Sequence, residues 1–159
     1  MPAMVFDADT TELRQPAIYK DLQIMTVSTK AEQDDFRSVA GPAFDMPDYI
    51  CDRIITEDYC LDTRHQLFVG YLAEQPVATS LLYVSEGVAG IYWVATEEAC
   101  RGQGLGEALT YHACLEGLKC AERFCSLQAS KMGEPVYRRM GFKPLYQYNK
   151  YPSTERDTT

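Results

Sequence analysis

The segment Arg101-Gly102-Gln103-Gly104-Leu105-Gly106 places three glycines in five positions where a strand is predicted to turn into a helix. Glycines remove side chains, so the backbone amides of such a loop are free to point at an anion. The helix that begins here adds the positive end of its dipole, and Arg101 adds a full charge. We therefore predict that this loop binds a pyrophosphate group.

Two other glycine-rich anion loops do not fit this spacing. A dinucleotide-binding fold requires G-x-G-x-x-G, and a Walker loop requires G-x-x-x-x-G-K-[ST]. The spacing here is G-x-G-x-G, and no Lys-Ser or Lys-Thr pair follows it. A tight turn without a ligand remains an open alternative, because short glycine patterns are weak evidence.

The elements on either side of the loop follow from hydrophobic patterns. Residues 88–96 are nearly all apolar and predict a strand inside the sheet with both faces covered. After the loop, apolar residues at helical spacing predict a helix over about 104–120. The residues of this stripe are Leu105, Ala108, Leu109, His112 and Leu115.

Alternation, turn signals and helical periodicity predict the other elements. Strands are predicted at 22–27, 66–71, 77–84, 124–129 and 142–151, and helices at 30–40, 47–55 and 134–140. This order predicts a single mixed α/β domain over 1–159 with its core at about 22–151. Residues 1–21 are interpreted as an arm or an edge strand, and 152–159 as a flexible tail.

Three local signals set the predicted ends and faces of the helices. Ser28 or Thr29 caps the first helix, and Gly41-Pro42 closes it. Gly141 is the predicted left-handed cap of the last helix. Three isoleucines supply the candidate apolar face of the second helix, namely Ile50, Ile54 and Ile55.

A second cluster lies about thirty residues after the glycine loop, where Tyr137 on a predicted short helix is separated by three residues from Gly141-Phe142. Together the two clusters resemble the signatures of the GCN5-related N-acetyltransferase (GNAT) superfamily. Arg101, Gly104 and Gly106 match its pattern of Arg or Gln, two residues, Gly, one residue, then Gly or Ala. The predicted order of strands and helices also matches that superfamily.

The resemblance implies a mixed, mostly antiparallel sheet that is splayed at a cofactor cleft, with helices on both faces and acetyl-CoA as cosubstrate. The cofactor would bind the backbone of one strand end and the amides of the loop, with the following strand forming the opposite wall. The implied cofactor-binding residues are Val94, Ala95, Thr96, Arg101, Gly102, Gln103, Gly104, Leu105, Gly106 and Ser130. Many members carry Asn where Ser130 stands.

The resemblance also implies that Tyr137 donates a proton to the departing thiolate, while a backbone amide at 94–96 stabilises the oxyanion. A merely packing role for Tyr137 stays open. The sequence assigns no general base; the candidates are His65, Glu86, Glu97 and Glu98. Direct transfer in a ternary complex is preferred to a cysteine intermediate, because neither Cys100 nor Cys125 has a histidine nearby in sequence.

Composition narrows the partners. The 159 residues carry a formal charge of -8, which disfavours nucleic acid and anionic membrane as partners. The six cysteines form no C-x-x-C pair and no metal-ligand spacing, so no metal is expected. Without a signal peptide or an apolar run near 18 residues, the chain is expected to be cytoplasmic, with free thiols.

The acceptor is the least determined part of the prediction. Six acidic residues between 45 and 62 are candidates for holding a cationic amine such as an aminoglycoside or polyamine, although a solvated surface is an equal alternative. They are Asp45, Asp48, Asp52, Glu57, Asp58 and Asp62. Acetylation of small-molecule amines, acetylation of a protein N-terminus or lysine, and a non-catalytic acetyl-CoA-binding module all remain open. A homodimer is expected only by analogy.

Overall fold

A computed structural model describes residues 1–17, 21–120 and 123–149, which form one seven-stranded sheet with helices packed on it. The strands are β1 Pro2–Asp7, β2 Gln23–Thr26, β3 His65–Leu72, β4 Gln75–Ser85, β5 Val88–Thr96, β6 Phe124–Gln128 and β7 Lys143–Gln147. The α-helices are α1 Lys30–Ala43, α2 Asp48–Ile54, α3 Glu57–Leu61, α4 Leu105–Lys119 and α5 Glu134–Met140. A 3-10 turn spans Glu98–Cys100.

The sheet order is β2-β3-β4-β5-β6-β1-β7. Every neighbouring pair is antiparallel except β5 and β6, which run parallel. The crossover from β5 to β6 passes through α4, as parallel strands require. The predicted mixed, mostly antiparallel sheet is therefore confirmed.

Helices cover both faces of this sheet, as predicted. Alternate residues of β3 point to opposite faces: Phe68 packs into the core under α4, while Leu67 and Val69 pack into the core under α1. On the α1 side, Phe36 and Ile55 are fully buried. The sheet is thus the middle layer between two hydrophobic cores.

Two predictions about chain ends need correction. The N-terminal segment forms β1, which lies between β6 and β7 and not at an edge of the sheet. The sequence of β1 shows little alternation between polar and apolar residues, because five of its six residues are apolar or proline. The last strand covers only Lys143–Gln147, and the predicted tail 152–159 lies outside the described residues.

The first helix is capped as predicted, because Thr29 accepts a hydrogen bond from the Glu32 amide and Glu32 bonds back to the Thr29 amide. Its predicted end is wrong: α1 continues through Gly41 and Pro42 to Ala43. A proline in the last turn removes only one intrahelical bond, so the helix tolerates it there.

The predicted faces of α2 and α4 are partly wrong. Ile54 is 40% exposed, whereas Cys51 and Ile55 are buried. Leu115 is 38% exposed, because α4 packs on the sheet through a wider set of small side chains. These additional buried residues are Thr110, Ala113, Cys114 and Gly117.

Within the described residues, no helix has the length and hydropathy required to cross a membrane. The same residues contain no group of three or more His, Cys, Asp or Glu side chains placed to hold a metal ion.

Candidate active site

The two parallel strands separate halfway along β5. Their pairing runs from Val88 opposite Phe124 to Ile91 opposite Leu127, and β5 then continues alone on that side to Thr96. The backbone of 94–96 therefore faces a gap in the sheet, as the predicted splay requires. The expectation that both faces of this strand are covered fails at Tyr92, which is 42% exposed.

A β-bulge lies at the point of separation. The register between β4 and β5 shifts between Leu81, opposite Tyr92, and Thr79, opposite Ala95. Trp93 adopts a φ of 50°, which is unusual for a bulky side chain, and the Thr79 hydroxyl donates to its carbonyl at 2.9 Å. The bulge bends β5, so the last residues of the strand do not continue the pleat of its first half.

The glycine loop occupies the end of this gap. Gly102 and Gly104 have φ values of 76° and 81°, in the left-handed region that glycine adopts without strain. A Cβ on Gly106 would lie 3.3 Å from Thr96 Oγ1 and 3.6 Å from Val94 Cγ1, so a bare backbone lets α4 approach β5 closely. The loop is thus held directly against the unpaired strand end.

The first turn of α4 presents free donors. Its N-cap, Gly104, makes no side-chain capping hydrogen bond, and the first intrahelical bond runs from the Ala108 amide to the Gly104 carbonyl. The amides before Ala108 therefore retain their capacity to bind an anion. Arg101 is exposed and donates from Nε to the Thr96 carbonyl at 3.3 Å, which ties the loop to β5.

Tyr137 lies on α5 with its side chain 8% exposed. Its ring packs edge-on against Phe142, with centroids 6.1 Å apart. Burial raises the pKa of its phenol, and the neighbouring Thr110 side chain partly offsets that effect. The Thr110 hydroxyl in turn donates to the Gly106 carbonyl at 2.8 Å. Tyr137 is thereby connected to the first turn of α4.

Ser130 has a structural role that the sequence did not predict. Its hydroxyl accepts a hydrogen bond from the Gly133 amide at 3.0 Å, and its carbonyl accepts from the Glu134 amide. A Cβ on Gly133 would approach both Ser130 Oγ and the Tyr137 ring. Ser130 therefore shapes the turn that positions Tyr137, while its proposed contact with the cofactor stays a prediction.

The other sequence candidates are less well placed. Glu86, Glu97 and Glu98 are all exposed in turns. Burial and the nearby Glu97 raise the pKa of the Cys100 thiol, which disfavours the thiolate needed for a covalent intermediate. Direct transfer in a ternary complex stays a prediction.

A cavity of about 270 Å³ opens on the α1 side of the sheet, next to the bulge. It is lined by Tyr59, His65, Leu81, Tyr83, Tyr92 and Trp93. Only His65 among these was a sequence candidate for chemistry. The lining comes from α3, β3, β4 and β5, so no local motif could have shown that these aromatic residues meet.

A gapped mixed sheet with an uncapped glycine loop beside the gap is the architecture of the GCN5-related acetyltransferases. The sequence signature of the GNAT acetyltransferase domain matches residues 63–144. The chain belongs to this family. No curated protein matches the sequence significantly.

Solved structures of similar fold are distant in sequence. A GCN5-related N-acetyltransferase from Kribbella flavida has 20% identity and a TM-score of 0.68 over 90% of this chain, which spans only 53% of that protein's length. A predicted acetyltransferase from Clostridium acetobutylicum, solved with acetyl-CoA, has 16% identity and a TM-score of 0.69, covering 82% of this chain and 96% of that one.

An aminoglycoside acetyltransferase from an uncultured soil metagenomic sample, solved with sisomicin, has 18% identity and a TM-score of 0.68. The match covers 84% of this chain and 96% of that one. At such identities the similarity establishes the fold alone.

Proposed function

We propose that this chain transfers the acetyl group of acetyl-CoA to the primary amine of a small cationic molecule by direct attack in a ternary complex. The observation that carries the proposal is the convergence of three features: the unpaired end of β5, the uncapped glycine loop and buried Tyr137. Thr110 bonds to the Gly106 carbonyl of the loop and neighbours Tyr137, and the Gly106 backbone approaches the unpaired end of β5.

The proposed site offers partners to both the pyrophosphate and the extended arm of acetyl-CoA. Amides of 102–106 supply donors for a pyrophosphate at the positive end of α4. The backbone of Val94, Ala95 and Thr96 offers bonding groups to an extended amide-containing chain, as an added strand would. Acetyl-CoA supplies an activated acyl carbon, and the protein supplies binding, orientation and proton transfer.

Tyr137 is the proposed proton donor. A phenol with a raised pKa stays protonated at neutral pH, so it has a proton to give to a thiolate as the carbon–sulfur bond breaks. A backbone amide of 94–96 is the proposed oxyanion donor. Six free cysteines support a reducing compartment such as the cytoplasm.

The test is thiol release from acetyl-CoA with small amines, an N-terminal peptide and a lysine peptide as separate acceptors, together with calorimetric binding of acetyl-CoA. We expect binding and amine-dependent thiol release with small amines. Release with the peptides alone would favour protein acetylation, and binding without any release would favour a non-catalytic module. Absence of binding would contradict the proposal altogether.

A further inference from the structure

The cavity beside the bulge adjoins the residues at which β5 separates from β6. Tyr92 and Trp93 directly follow Ile91, the last residue of β5 that pairs with β6. Both side chains line the cavity, and Val94, on the next position, begins the unpaired strand end. The cavity therefore opens at the same point of the chain as the gap.

The walls of this cavity are aromatic, and none of its six lining residues is acidic. Tyr59 stacks on His65 with ring centroids 4.2 Å apart, and His65 lies 5.1 Å from Tyr83. Burial raises the pKa of the Tyr59 phenol, in keeping with an apolar environment. Faces of Tyr and Trp rings attract a cation electrostatically without any carboxylate.

The acidic residues expected to recruit a polycation lie elsewhere. Asp48, Asp52 and Asp58 are exposed on the surfaces of α2 and α3. Asp62 is paired with Arg64, whose guanidinium lies 5.9 Å from the centroid of the Tyr83 ring. None of these carboxylates lines the cavity.

The size of the cavity limits what it encloses. Its volume is about 270 Å³. It lies just below the range of about 300–1,000 Å³ that holds drug-sized ligands. One ring or a short chain fills it, so it would enclose only part of an aminoglycoside.

His65 brings a proton acceptor to this cavity. Its Nδ1 lies 3.1 Å from the Tyr59 carbonyl, which can only accept a hydrogen bond, so Nδ1 carries the proton. In the neutral ring Nε2 then holds the lone pair. The stacked Tyr59 and tilted Tyr83 rings fix the orientation of the imidazole.

Building on the proposed function, we propose that this aromatic cavity binds the acceptor as a compact primary monoamine with an apolar body, and that His65 Nε2 accepts the proton of its ammonium group.

The proton balance is complete without another reactant. The ammonium gives one proton to His65 Nε2, and the neutral nitrogen forms a bond to the acetyl carbon as the carbon–sulfur bond breaks. The thiolate takes a proton from Tyr137, which is replaced by the second proton lost from nitrogen. One proton per turnover returns from His65 to solvent.

Trp93 provides a direct binding measurement, because it is the single tryptophan of the chain and lines the cavity. We expect 2-phenylethylamine to change its fluorescence saturably, and to be acetylated with a kcat/KM at least about tenfold above that of spermidine or kanamycin. The neutral analogue 2-phenylethanol should bind more weakly.

The outcomes separate the two proposals. Saturable binding of 2-phenylethylamine without thiol release would support the cavity and contradict the proposed function. Acetylation of spermidine or kanamycin in preference to 2-phenylethylamine would uphold acetyl transfer and overturn the monoamine assignment. Acetylation of 2-phenylethylamine without any change in Trp93 fluorescence would overturn the cavity as its binding site.

A matched pair of variants tests the aromatic wall. Tyr83→Leu removes the ring and should raise the KM for 2-phenylethylamine by about 3- to 10-fold, whereas Tyr83→Phe keeps the ring and should raise it less. Asp48→Asn combined with Asp58→Asn neutralises exposed acids and should leave that KM unchanged. A rise in KM only in the Asp double variant would overturn the proposal.

His65→Gln tests the proton acceptor, because glutamine accepts a hydrogen bond but takes no proton at neutral pH. We expect kcat/KM for 2-phenylethylamine to fall by about 10²-fold at neutral pH, with Trp93 still reporting amine binding. The deficit should narrow at higher pH, where the free amine is more abundant in solution.

The other titratable or charged groups around His65 are Tyr59 from α3, Tyr83 from β4, Tyr92 from β5, and Asp62 and Arg64 from the preceding loop. Tyr49→Phe, at an exposed tyrosine outside the cavity, is the control and should show no such pH-dependent deficit. A His65→Gln variant with unchanged kcat/KM at every pH would overturn the role of His65.

Discussion

At the scale of single residues, Tyr137 combines burial with a connection to the glycine loop. Burial raises the pKa of its phenol above the ordinary value near 10, and Thr110 only partly offsets this. Deprotonation of Tyr137 therefore cannot explain any loss of activity below about pH 10. Within the physiological range the phenol therefore stays protonated, as the proposed acid role requires.

Tyr137→Phe should lower kcat by about 10²-fold, the effect of a lost general acid. Acetyl-CoA binding should change little, because the phenylalanine ring keeps the packing against Phe142. Steady-state thiol release gives kcat, and calorimetry gives the Kd. Tyr49→Phe, at an exposed tyrosine, is the control. Full turnover of Tyr137→Phe across the pH range would remove the acid role.

At the scale of elements, the start of α4 depends on backbone geometry more than on side chains. Gly104 is the N-cap with a φ of 81°, a conformation that costs an L-residue roughly 1–2 kcal/mol. The neighbouring Gln103 is exposed. The two positions therefore separate the backbone contribution to anion binding from the side-chain contribution.

Gly104→Ala should reduce stability by about 1 kcal/mol and raise the Kd of acetyl-CoA roughly tenfold, because one misaligned hydrogen bond to a charged group costs about 1.5 kcal/mol. Gln103→Ala should change neither quantity. Calorimetric titration and thermal unfolding provide the measurements. Equal effects of the two substitutions would show that the loop does not bind through its amides.

Much of this fold could be predicted from sequence, since the loop, the strand before it and the cluster around Tyr137 are local patterns. The splay of β5 from β6 followed from the family resemblance and agrees with the structure. The interior position of β1 could not be predicted, because strand order depends on contacts between distant segments.

The aromatic cavity was missed for the same reason. His65 and Trp93 are 28 positions apart and meet only across β4. The sequence contains only a weak indication of a structural role for Thr110. Thr110 is a polar residue four positions after Gly106, on the buried side of α4. Its hydrogen bond to the Gly106 carbonyl explains that placement.

At the scale of the whole molecule, an ion pair joins the ends of β1 and β6. The Arg123 guanidinium donates to both Asp7 carboxylate oxygens at 2.8 and 2.9 Å. These bonds, more than the bond from the Asp9 amide, lower the pKa of Asp7 to about 2. Because the pKa of Asp7 is lower in the folded state, the ion pair stabilises the fold at pH values above the unfolded-state pKa of about 3.8. This stabilisation is lost as the pH falls toward 2.

Asp7→Asn should therefore lower the Tm at neutral pH, with the difference from the native chain closing between about pH 4 and pH 2. Because the pair is exposed, the effect should be small and should shrink further in high salt. Thermal unfolding over a pH series is the measurement, with Asp21→Asn as a control at another exposed carboxylate. A Tm difference that persists at pH 2 would contradict the assigned cause.

A crystal structure with coenzyme A bound would show whether the cofactor occupies the gap beside β5. We predict that the pyrophosphate binds the amides of 102–106 and that the extended arm lies along Val94–Thr96 in the gap. The sulfur should lie beside the Tyr137 hydroxyl, at the mouth of the aromatic cavity. Coenzyme A bound away from this gap, or with its sulfur remote from Tyr137, would contradict the account.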